Sequence, residues 1–334
     1  MYIRDINSSR ISSSQPVKKR RLNPISVLLF LLFVVVGWLF LGTTTHAATP
    51  GSPIKSGWSG YCLDDYLGKV KPGNKIDLWT CNNSSAQNWQ VNLTSIKHDG
   101  MCLTAQSNTN INLNNCIQGA NQVWIRDNQG FINPNSHLCL TAPQEEQGIS
   151  LILASCNELT SVSKIWQPNV NFINYPCTGD QGQKVACYAI KEWIRWTTEP
   201  NNHEALLNAY TGGAPYEEWC ADFVSYVYKE AGYPFKYGNY DNWDENIAPD
   251  IVNQGFHVDN SPNYIPKPGD VGYFSYLGGH VEIVVSGGKK PTFIYGNSAT
   301  IDPTTGNGQM ETNTITRVKS LGKLLYYMSP TSIT

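Results

Sequence analysis

The sequence predicts a multidomain protein in which an all-β domain precedes an α+β domain, both behind an N-terminal export segment. A cysteine-containing pattern occurs three times in the first half of the chain, and the second half shows helical periodicity followed by strands. A basic stretch and then an apolar run occupy the N-terminus. The 334 residues are enough for two ordinary domains after such a segment.

Residues 1–48 have the order of features that directs a chain across a membrane. Basic residues at 18–21 precede an apolar run at 25–41, and small residues follow at 45–47. Basic charge stays on the cytoplasmic side, which sends the following residues outward. A cleaved signal peptide and a retained anchor both fit, since the apolar run is somewhat short for a span. We expect a secreted or membrane-anchored protein with both domains extracellular and associated with the cell wall.

The nine cysteines agree with export. The first eight form sequential close pairs that can oxidise outside the membrane. These are Cys62, Cys81, Cys102, Cys116, Cys139, Cys156, Cys177 and Cys187. Cys220 is left over. An odd thiol in a secreted protein is either a reactive group or an intermolecular partner, so its context must decide.

A repeated unit of roughly forty residues fills the first domain, residues 52–170. The Gly-Tyr-Cys-Leu stretch at 60–63 has counterparts at 100–103 and 137–140, each followed by a second cysteine and a tryptophan. Short alternating stretches between them predict strands, and Gly, Asn and Ser fill the turns. Each copy is too small to bury its own apolar face, so we expect three four-strand units to share one hydrophobic core. We expect one disulfide to cross-link each unit.

This repeat resembles the ricin-type β-trefoil lectins, whose Cys-Leu-Asp and Gln-x-Trp signatures it carries. The resemblance implies a sugar pocket made by the Asp after Cys-Leu, an aromatic residue before the second cysteine and polar residues before the last Trp. The first lobe supplies the residues Asp64, Asp77, Trp79 and Gln87, with Ala86 where the family usually has Asn. An indole stacks on the apolar face of a sugar, and a carboxylate accepts from its hydroxyls.

The other two lobes lack most of these groups. The second has Thr104 and Asn114 in place of the Asp and the aromatic residue, and the third has Thr141 and Ala154. We expect these two lobes to be structural and the first to bind glycan. The alternative for the first lobe is an inherited fold without binding.

Residues 177–334, after a polar connector, contain the unpaired cysteine. Helices are predicted at 189–196 and 203–210, and a third is predicted from Cys220 to a stop at Gly232. Cys220 should lie in the first turn of that helix. There the free N–H groups and the helix dipole favour a thiolate, and the same N–H groups can stabilise an oxyanion.

A thiolate nucleophile needs a partner that takes and returns a proton, and His280 has the best context. Two glycines lead into a predicted strand with His280 at its mouth, on the same face as Glu282. A strand at 292–295 should deliver Asn297 to the same end of the sheet, where it can orient the imidazole. The other histidines lack a partner pattern, and we expect them at the surface or in structural roles: His46, His98, His137, His203 and His257.

The second domain resembles the CHAP family of cysteine, histidine-dependent amidohydrolases and peptidases. The shared pieces are Trp-Cys-Ala-x-Phe-Val, Lys-Pro-Gly-Asp-Val, Gly-Gly-His-Val-x-Ile-Val-Val and Gly-Asn, over about residues 185–328. The resemblance implies a papain-like α+β domain with Cys220 as nucleophile, His280 as base and acid, and Asn297 as the orienting residue. Some relatives have Glu where Tyr295 stands here. Their calcium-binding carboxylates have no clear counterpart, so we expect no metal and no cofactor.

Two classes of function follow. The first is an exported peptidoglycan hydrolase, an N-acetylmuramoyl-L-alanine amidase or an endopeptidase, held against wall or surface glycan by the trefoil. The alternative is a glycan-binding surface lectin or adhesin with an inactive hydrolase scaffold. The membrane is a further partner if the N-terminal segment is uncleaved. A net charge of −2 gives no basic surface for nucleic acid, and we expect a monomer.

Overall fold

The computed structural model describes most of the chain beyond the N-terminal segment. The described residues are 51–117, 119–158, 161–213, 218–235, 256–275, 279–314 and 324–330. The predicted signal or anchor, residues 1–48, lies outside them. Within the described part of the chain, no helix is long and apolar enough to cross a membrane.

Three four-stranded antiparallel sheets form the first domain, in the orders β12-β1-β2-β3, β4-β5-β6-β7 and β8-β9-β10-β11. Their strands are β1 (Lys55–Ser56), β2 (Tyr61–Asp65), β3 (Ile76–Thr80), β4 (Trp89–Val91), β5 (Ile96–His98), β6 (Met101–Ala105), β7 (Ile111–Asn114), β8 (Ile125–Asp127), β9 (Gly130–Asn133), β10 (Leu138–Thr141), β11 (Ile152–Ser155) and β12 (Trp166–Gln167). The last strand completes the first sheet. The predicted arrangement of three four-strand units is therefore confirmed.

One hydrogen bond repeats in all three lobes and explains why the sequence repeats. A buried Trp donates its indole N–H to the carbonyl of the Leu in the Cys-Leu strand, at 2.9 Å in each lobe. The three pairs are Trp89 with Leu63, Trp124 with Leu103, and Trp166 with Leu140. A buried indole needs such a partner, so both residue types are required in each copy.

The eight paired cysteines form four disulfides between sequential neighbours, as predicted. Cys62–Cys81, Cys102–Cys116 and Cys139–Cys156 each close one lobe. Cys177–Cys187 ties the connector to the first long helix. Loops of these lengths contribute about 3 kcal/mol each by restricting the unfolded chain. Cys220 remains a free thiol.

The second domain contains three helices and a six-stranded antiparallel sheet of order β13-β18-β14-β15-β16-β17, with two of the helices on the sheet and the third packed against a helix. The helices are α1 (Gln181–Thr198), α2 (His203–Thr211) and α3 (Cys220–Glu230). The strands are β13 (Phe256–Asp259), β14 (Val271–Phe274), β15 (His280–Ser286), β16 (Thr292–Tyr295), β17 (Glu311–Thr314) and β18 (Leu324–Pro330). Helices α1 and α3 lie on β15, the central strand that begins at His280.

Helix α1 is longer than the predicted stretch at 189–196. It begins at Gln181 because Asp180 caps it: the Asp180 carboxylate accepts from the Gln183 N–H, and the Gln183 side chain accepts from the Asp180 N–H. This reciprocal capping box lets the helix begin six residues before Cys187, so that the Cys177–Cys187 disulfide joins its first half to the connector.

The two domains touch through α1 and β8. Trp193 donates its indole N–H to the Arg126 carbonyl at 3.0 Å, and the Asn128 N–H bonds to Thr197 Oγ1 at 3.3 Å. Burial lowers the pKa of Arg126 to about 10. Its guanidinium lies over the ring of Phe131 and donates to the Trp166 carbonyl at 2.5 Å. The half-buried guanidinium thus holds Arg126 within the first domain, while its backbone carbonyl makes the contact with α1.

Candidate active site and sugar pocket

Cys220 is the first residue of α3, after Trp219 at the N-cap. The predicted helix start is confirmed, and the helix is followed by Gly232 at a φ of 89°. The side chain of Cys220 is buried, with 5% of the residue exposed. Its sulfur accepts hydrogen bonds from the backbone N–H groups of Val281 and Ala221. The first of these bonds joins the thiol to the start of β15.

The thiolate predicted for Cys220 is wrong for this arrangement. Burial raises the pKa of the thiol to about 12, and the charges of Glu218 and Asp222 raise it further. The N–H groups of Val281 and Ala221 lower the pKa but do not compensate. The sequence shows the helix terminus but not the loss of water around the sulfur, and here the loss of water dominates.

His280 is the first residue of β15, as predicted, and only 1% of it is exposed. It immediately precedes Val281, whose N–H binds the Cys220 sulfur. Burial lowers the pKa of His280 to about 3. The resting site therefore holds a neutral thiol and a neutral imidazole on neighbouring elements. This form is suited to concerted proton transfer rather than to a preformed ion pair.

Two groups flank the His280 ring. The Tyr295 ring meets it edge-on, with centroids 4.8 Å apart. The Glu282 Oε1 atom lies 4.0 Å from His280 Nε2. The sequence predicted that His280 and Glu282 lie on the same face of their strand. As a result, a buried carboxylate lies beside the imidazole.

Asn297 follows β16 in the left-handed region, with a φ of 59°. Its Oδ1 lies beside Gly308, where an added Cβ would come within 2.7 Å of it. The hydrogen bond from His280 to Asn297 stays a prediction.

The four predicted sugar-binding residues come together on the first lobe. Asp64 pairs with Asp77 across the β2–β3 hairpin, and Cys62 pairs with Trp79, so both acids and the indole share one face. Gln87 donates to Asp64 Oδ2 at 2.9 Å and to the Thr80 carbonyl at 3.0 Å. The glutamine thus fixes the carboxylate beside the half-buried indole.

Asp77 faces this pocket from below its surface, with 0% of the residue exposed. Burial raises its pKa to about 6, and the charge of Asp64 adds to the effect, whereas Lys75 lowers it. The Lys75 ammonium lies 3.6 Å from Asp77 Oδ2 and donates to the Gly148 carbonyl at 3.2 Å. It also lies 4.0 Å from the centre of the Tyr66 ring. Trp79 is therefore the half-exposed part of the pocket, and the buried carboxylates of Asp64 and Asp77 lie behind it.

The second lobe keeps the glutamine without the acid. Gln122 donates to Thr104 Oγ1 at 3.0 Å, in the position of the Gln87–Asp64 bond. A hydroxyl is a weaker acceptor for sugar than a carboxylate. In the third lobe the matching position holds Lys164, which is buried. This geometry is consistent with the expectation that these two lobes are structural.

Two family models match the chain. A ricin-type beta-trefoil lectin domain model matches residues 51–166, and a CHAP domain model matches residues 209–297. The chain joins a ricin-type β-trefoil lectin domain to a CHAP domain. The expected order of a β-trefoil domain and a CHAP domain is thereby confirmed, whereas the N-terminal signal or anchor stays a prediction. The CHAP match includes the positions of Cys220, His280 and Asn297.

The chain is also similar to plant proteins and to solved lectin structures. It is 35% identical over 125 residues to ribosome-inactivating protein SNAI of Sambucus nigra, which covers 35% of this chain and 22% of that protein. Volkensin of Adenia volkensii is 29% identical over 158 residues, covering 42% and 30%. The chain thus spans less than a third of the length of these relatives. The agglutinin from Abrus precatorius is 25% identical, with a TM-score of 0.33 and coverage of 38% and 51%.

Sequence reasoning missed several contacts of the CHAP domain. Trp219 is fully buried and packs against Gly296, where an added Cβ would overlap its ring. His203 is buried and bonded to Asp302, 99 residues away. In the lectin domain, His98 is buried 3.6 Å from Asp65. The Gly-Asn stretch after β16 was a sequence signal for the contact of Trp219 with Gly296. No local sequence pattern indicates that His203 binds Asp302.

Proposed function

We propose that this protein is an exported peptidoglycan hydrolase that cleaves amide bonds with Cys220 and His280, while its lectin domain binds wall glycan. The hydrogen bond from the Val281 N–H to the Cys220 sulfur carries the proposal, because it holds the thiol beside the residue that follows His280. Four disulfides support an oxidising location outside the cytoplasm. Membrane attachment through residues 1–48 is part of this proposal.

The reaction begins with a neutral pair. As the Cys220 sulfur bonds to the amide carbonyl carbon, the thiol proton passes to His280. The positive N-terminal end of the α3 dipole stabilises the negative carbonyl oxygen. The C–N bond then breaks, and His280 gives its proton to the leaving amine. Water attacks the resulting thioester with His280 as base, which releases the carboxylate and returns the thiol.

The imidazole must keep one orientation through both proton transfers. We propose Asn297 for this role, with Glu282 as a second group 4.0 Å from the ring. The pairwise test is Asn297→Ala against Glu282→Gln. Replacing the residue that orients the imidazole should lower kcat by a larger factor than it raises KM, since that residue acts only on the geometry of proton transfer.

Activity should depend on the sulfur of Cys220. Wild-type protein should clear purified cell walls in a zymogram, and Cys220→Ala should clear at least about a thousandfold less because no other group forms the thioester. His257→Gln is the matched control, since His257 is exposed on β13. Mass analysis of the released fragments identifies the bond cut. Equal clearing by wild type and Cys220→Ala would refute the enzyme assignment.

Glycan binding should depend on the first lobe. Trp79→Ala should lower affinity for wall saccharides at least about tenfold, because stacking on the indole is lost. Asn114→Ala changes the same position of the second lobe and should leave affinity unchanged. Calorimetric titration with saccharides from digested walls measures both. Binding that survives Trp79→Ala would rule out this pocket.

The alternative, a glycan-binding adhesin with an inactive CHAP scaffold, also has one supporting observation. Cys220 and His280 are both almost fully buried. The two tests separate the alternatives: an inactive scaffold binds glycan through Trp79 but does not clear cell walls.

A further inference from the structure

A second buried histidine lies outside the Cys220–His280 pair. His203 begins α2, and 7% of it is exposed. Its Nε2 lies 2.6 Å from the Trp196 carbonyl oxygen near the end of α1, and its Nδ1 lies 2.9 Å from Asp302 Oδ1. The ring stacks on the Trp196 indole with centroids 3.9 Å apart and an interplanar angle of 11°.

The partners of His203 determine where its protons are. A carbonyl oxygen only accepts, so Nε2 must carry a proton. Asp302 Oδ2 accepts from both the N–H and the hydroxyl of Thr305, each at 2.8 Å. Burial raises the pKa of Asp302, but the hydrogen bonds from His203 and Thr305 outweigh it and leave the pKa below its usual value. Asp302 is therefore ionised, and Nδ1 must be protonated as well.

Asp302 belongs to a tightly bonded loop, residues 298–309, that starts directly after Asn297. The Ser298 N–H donates to the Gln309 carbonyl at 2.9 Å, and the Asp302 N–H donates to Asn307 at 2.7 Å. Near the base of the loop, Gly308 lies against Asn297 Oδ1. These contacts connect the position of Asp302 to Asn297 through the ends of the loop.

The other partner of His203 leads to the same place. The Trp196 ring packs on Trp219 at 5.6 Å, and Trp219 contacts Gly296, the residue before Asn297. Trp219 also immediately precedes Cys220. His203 thus connects the end of α1, the start of α2 and the loop beyond β16 at one buried point.

We propose that His203 is a positioning residue, held as an imidazolium, whose ion pair with Asp302 fixes the 298–309 loop and so places Asn297. Within the described part of the chain, His203 forms its ion pair with Asp302 on the loop. Two further carboxylates lie near it in the chain: Glu199 after α1, which accepts from Asn202, and the exposed Glu204 on α2. The link to catalysis rests on the proposed function. The protonation state of His203 and the order of the loop do not depend on it.

Nuclear magnetic resonance of the full chain with ¹⁵N-labelled histidine tests the imidazolium directly. At pH 7 the wild type should show two protonated nitrogens at His203, both slow to exchange with water. Asp302→Asn should remove the Nδ1 proton and leave Nε2–H facing Trp196. A single protonated ring nitrogen in the wild type would overturn the proposal, and this measurement needs no variant to fold.

Hydrogen exchange and kinetics test the positioning role. In Asp302→Asn the amides of Ser298 and Gln309 should exchange at least about tenfold faster, and kcat should fall at least about tenfold with little change in KM, because misplaced groups slow the chemical step. Thr305→Ala removes only one bond from Asp302 Oδ2 and should give a smaller change in the same direction. Asp259→Asn removes a carboxylate elsewhere in the domain and should change neither quantity.

Unchanged exchange and kcat in a folded Asp302→Asn protein would overturn the positioning role. If the wild type itself has no hydrolytic activity, the proposed function fails. The exchange measurement still decides the role of His203 in that case.

Discussion

At the scale of single residues, burial sets the charge of the two groups that we propose to react, Cys220 and His280. A helix N-terminus favours an anion by about 1 kcal/mol, whereas each unit of pKa shift corresponds to about 1.4 kcal/mol. Burial raises the pKa of Cys220 to about 12 and lowers that of His280 to about 3. These effects exceed the contribution of the helix terminus, so both groups rest in their neutral forms.

His280 should make the protein sensitive to acid. In the unfolded chain, His280 binds a proton below about pH 6.5, but in the folded protein it stays neutral down to about pH 3. The free energy of unfolding should therefore decrease by about 1.4 kcal/mol for each unit that the pH falls between these limits. Urea unfolding at pH 4–7 should show a shallower dependence in His280→Gln than in wild type. His257→Gln, altered at an exposed position, should keep the wild-type slope; equal slopes in all three proteins would contradict the assignment.

At the scale of helices and strands, the sequence predicted the starts of the two elements that hold the proposed catalytic pair. Cys220 opens α3 and His280 opens β15, because a helical apolar face and a glycine-led apolar run mark those elements locally. The start of α1 at Gln181 was missed because polar residues precede its apolar stretch and only the Asp180–Gln183 capping box reveals it. The contact of His203 with Asp302 has no local signal at all.

The junction of β16 with α3 should tolerate no side chain at Gly296. Gly296→Ala would place a methyl group in the Trp219 ring, and overpacking of this kind costs about 1–3 kcal/mol. We expect a lower unfolding midpoint together with reduced wall clearing, since Trp219 precedes Cys220. Gly213→Ala is the comparison: its Cβ meets nothing within 4 Å, although its φ is 90°. It should lower stability by about 1–2 kcal/mol through backbone strain and leave catalysis unchanged.

At the scale of the whole molecule, the lectin domain and the CHAP domain share a bonded contact rather than a free linker. Trp193 and Arg126 meet there, 67 positions apart in the sequence. The sequence predicted both domains from their repeats and motifs. Their packing depends on long-range partners that no periodicity reveals.

This contact should make thermal unfolding cooperative across the two domains. Wild-type protein should show one calorimetric transition, and Trp193→Ala should split it in two because it removes the indole and its bond to Arg126. Trp58→Ala removes a comparable bond, from Trp58 to Ala142, within the lectin domain. It should lower the midpoint without splitting the transition. Two transitions in the wild type would show that the domains melt independently.

The protonated state of Cys220 also bears on its survival. Peroxides convert thiolates to sulfenic acids and onward to forms that cannot be recovered, but they react poorly with thiols shielded from water. In the oxidising location that we propose, an open, ionised thiol would be inactivated quickly. A buried, protonated Cys220 should be oxidised more slowly there and so keep the thiol that the proposed function needs.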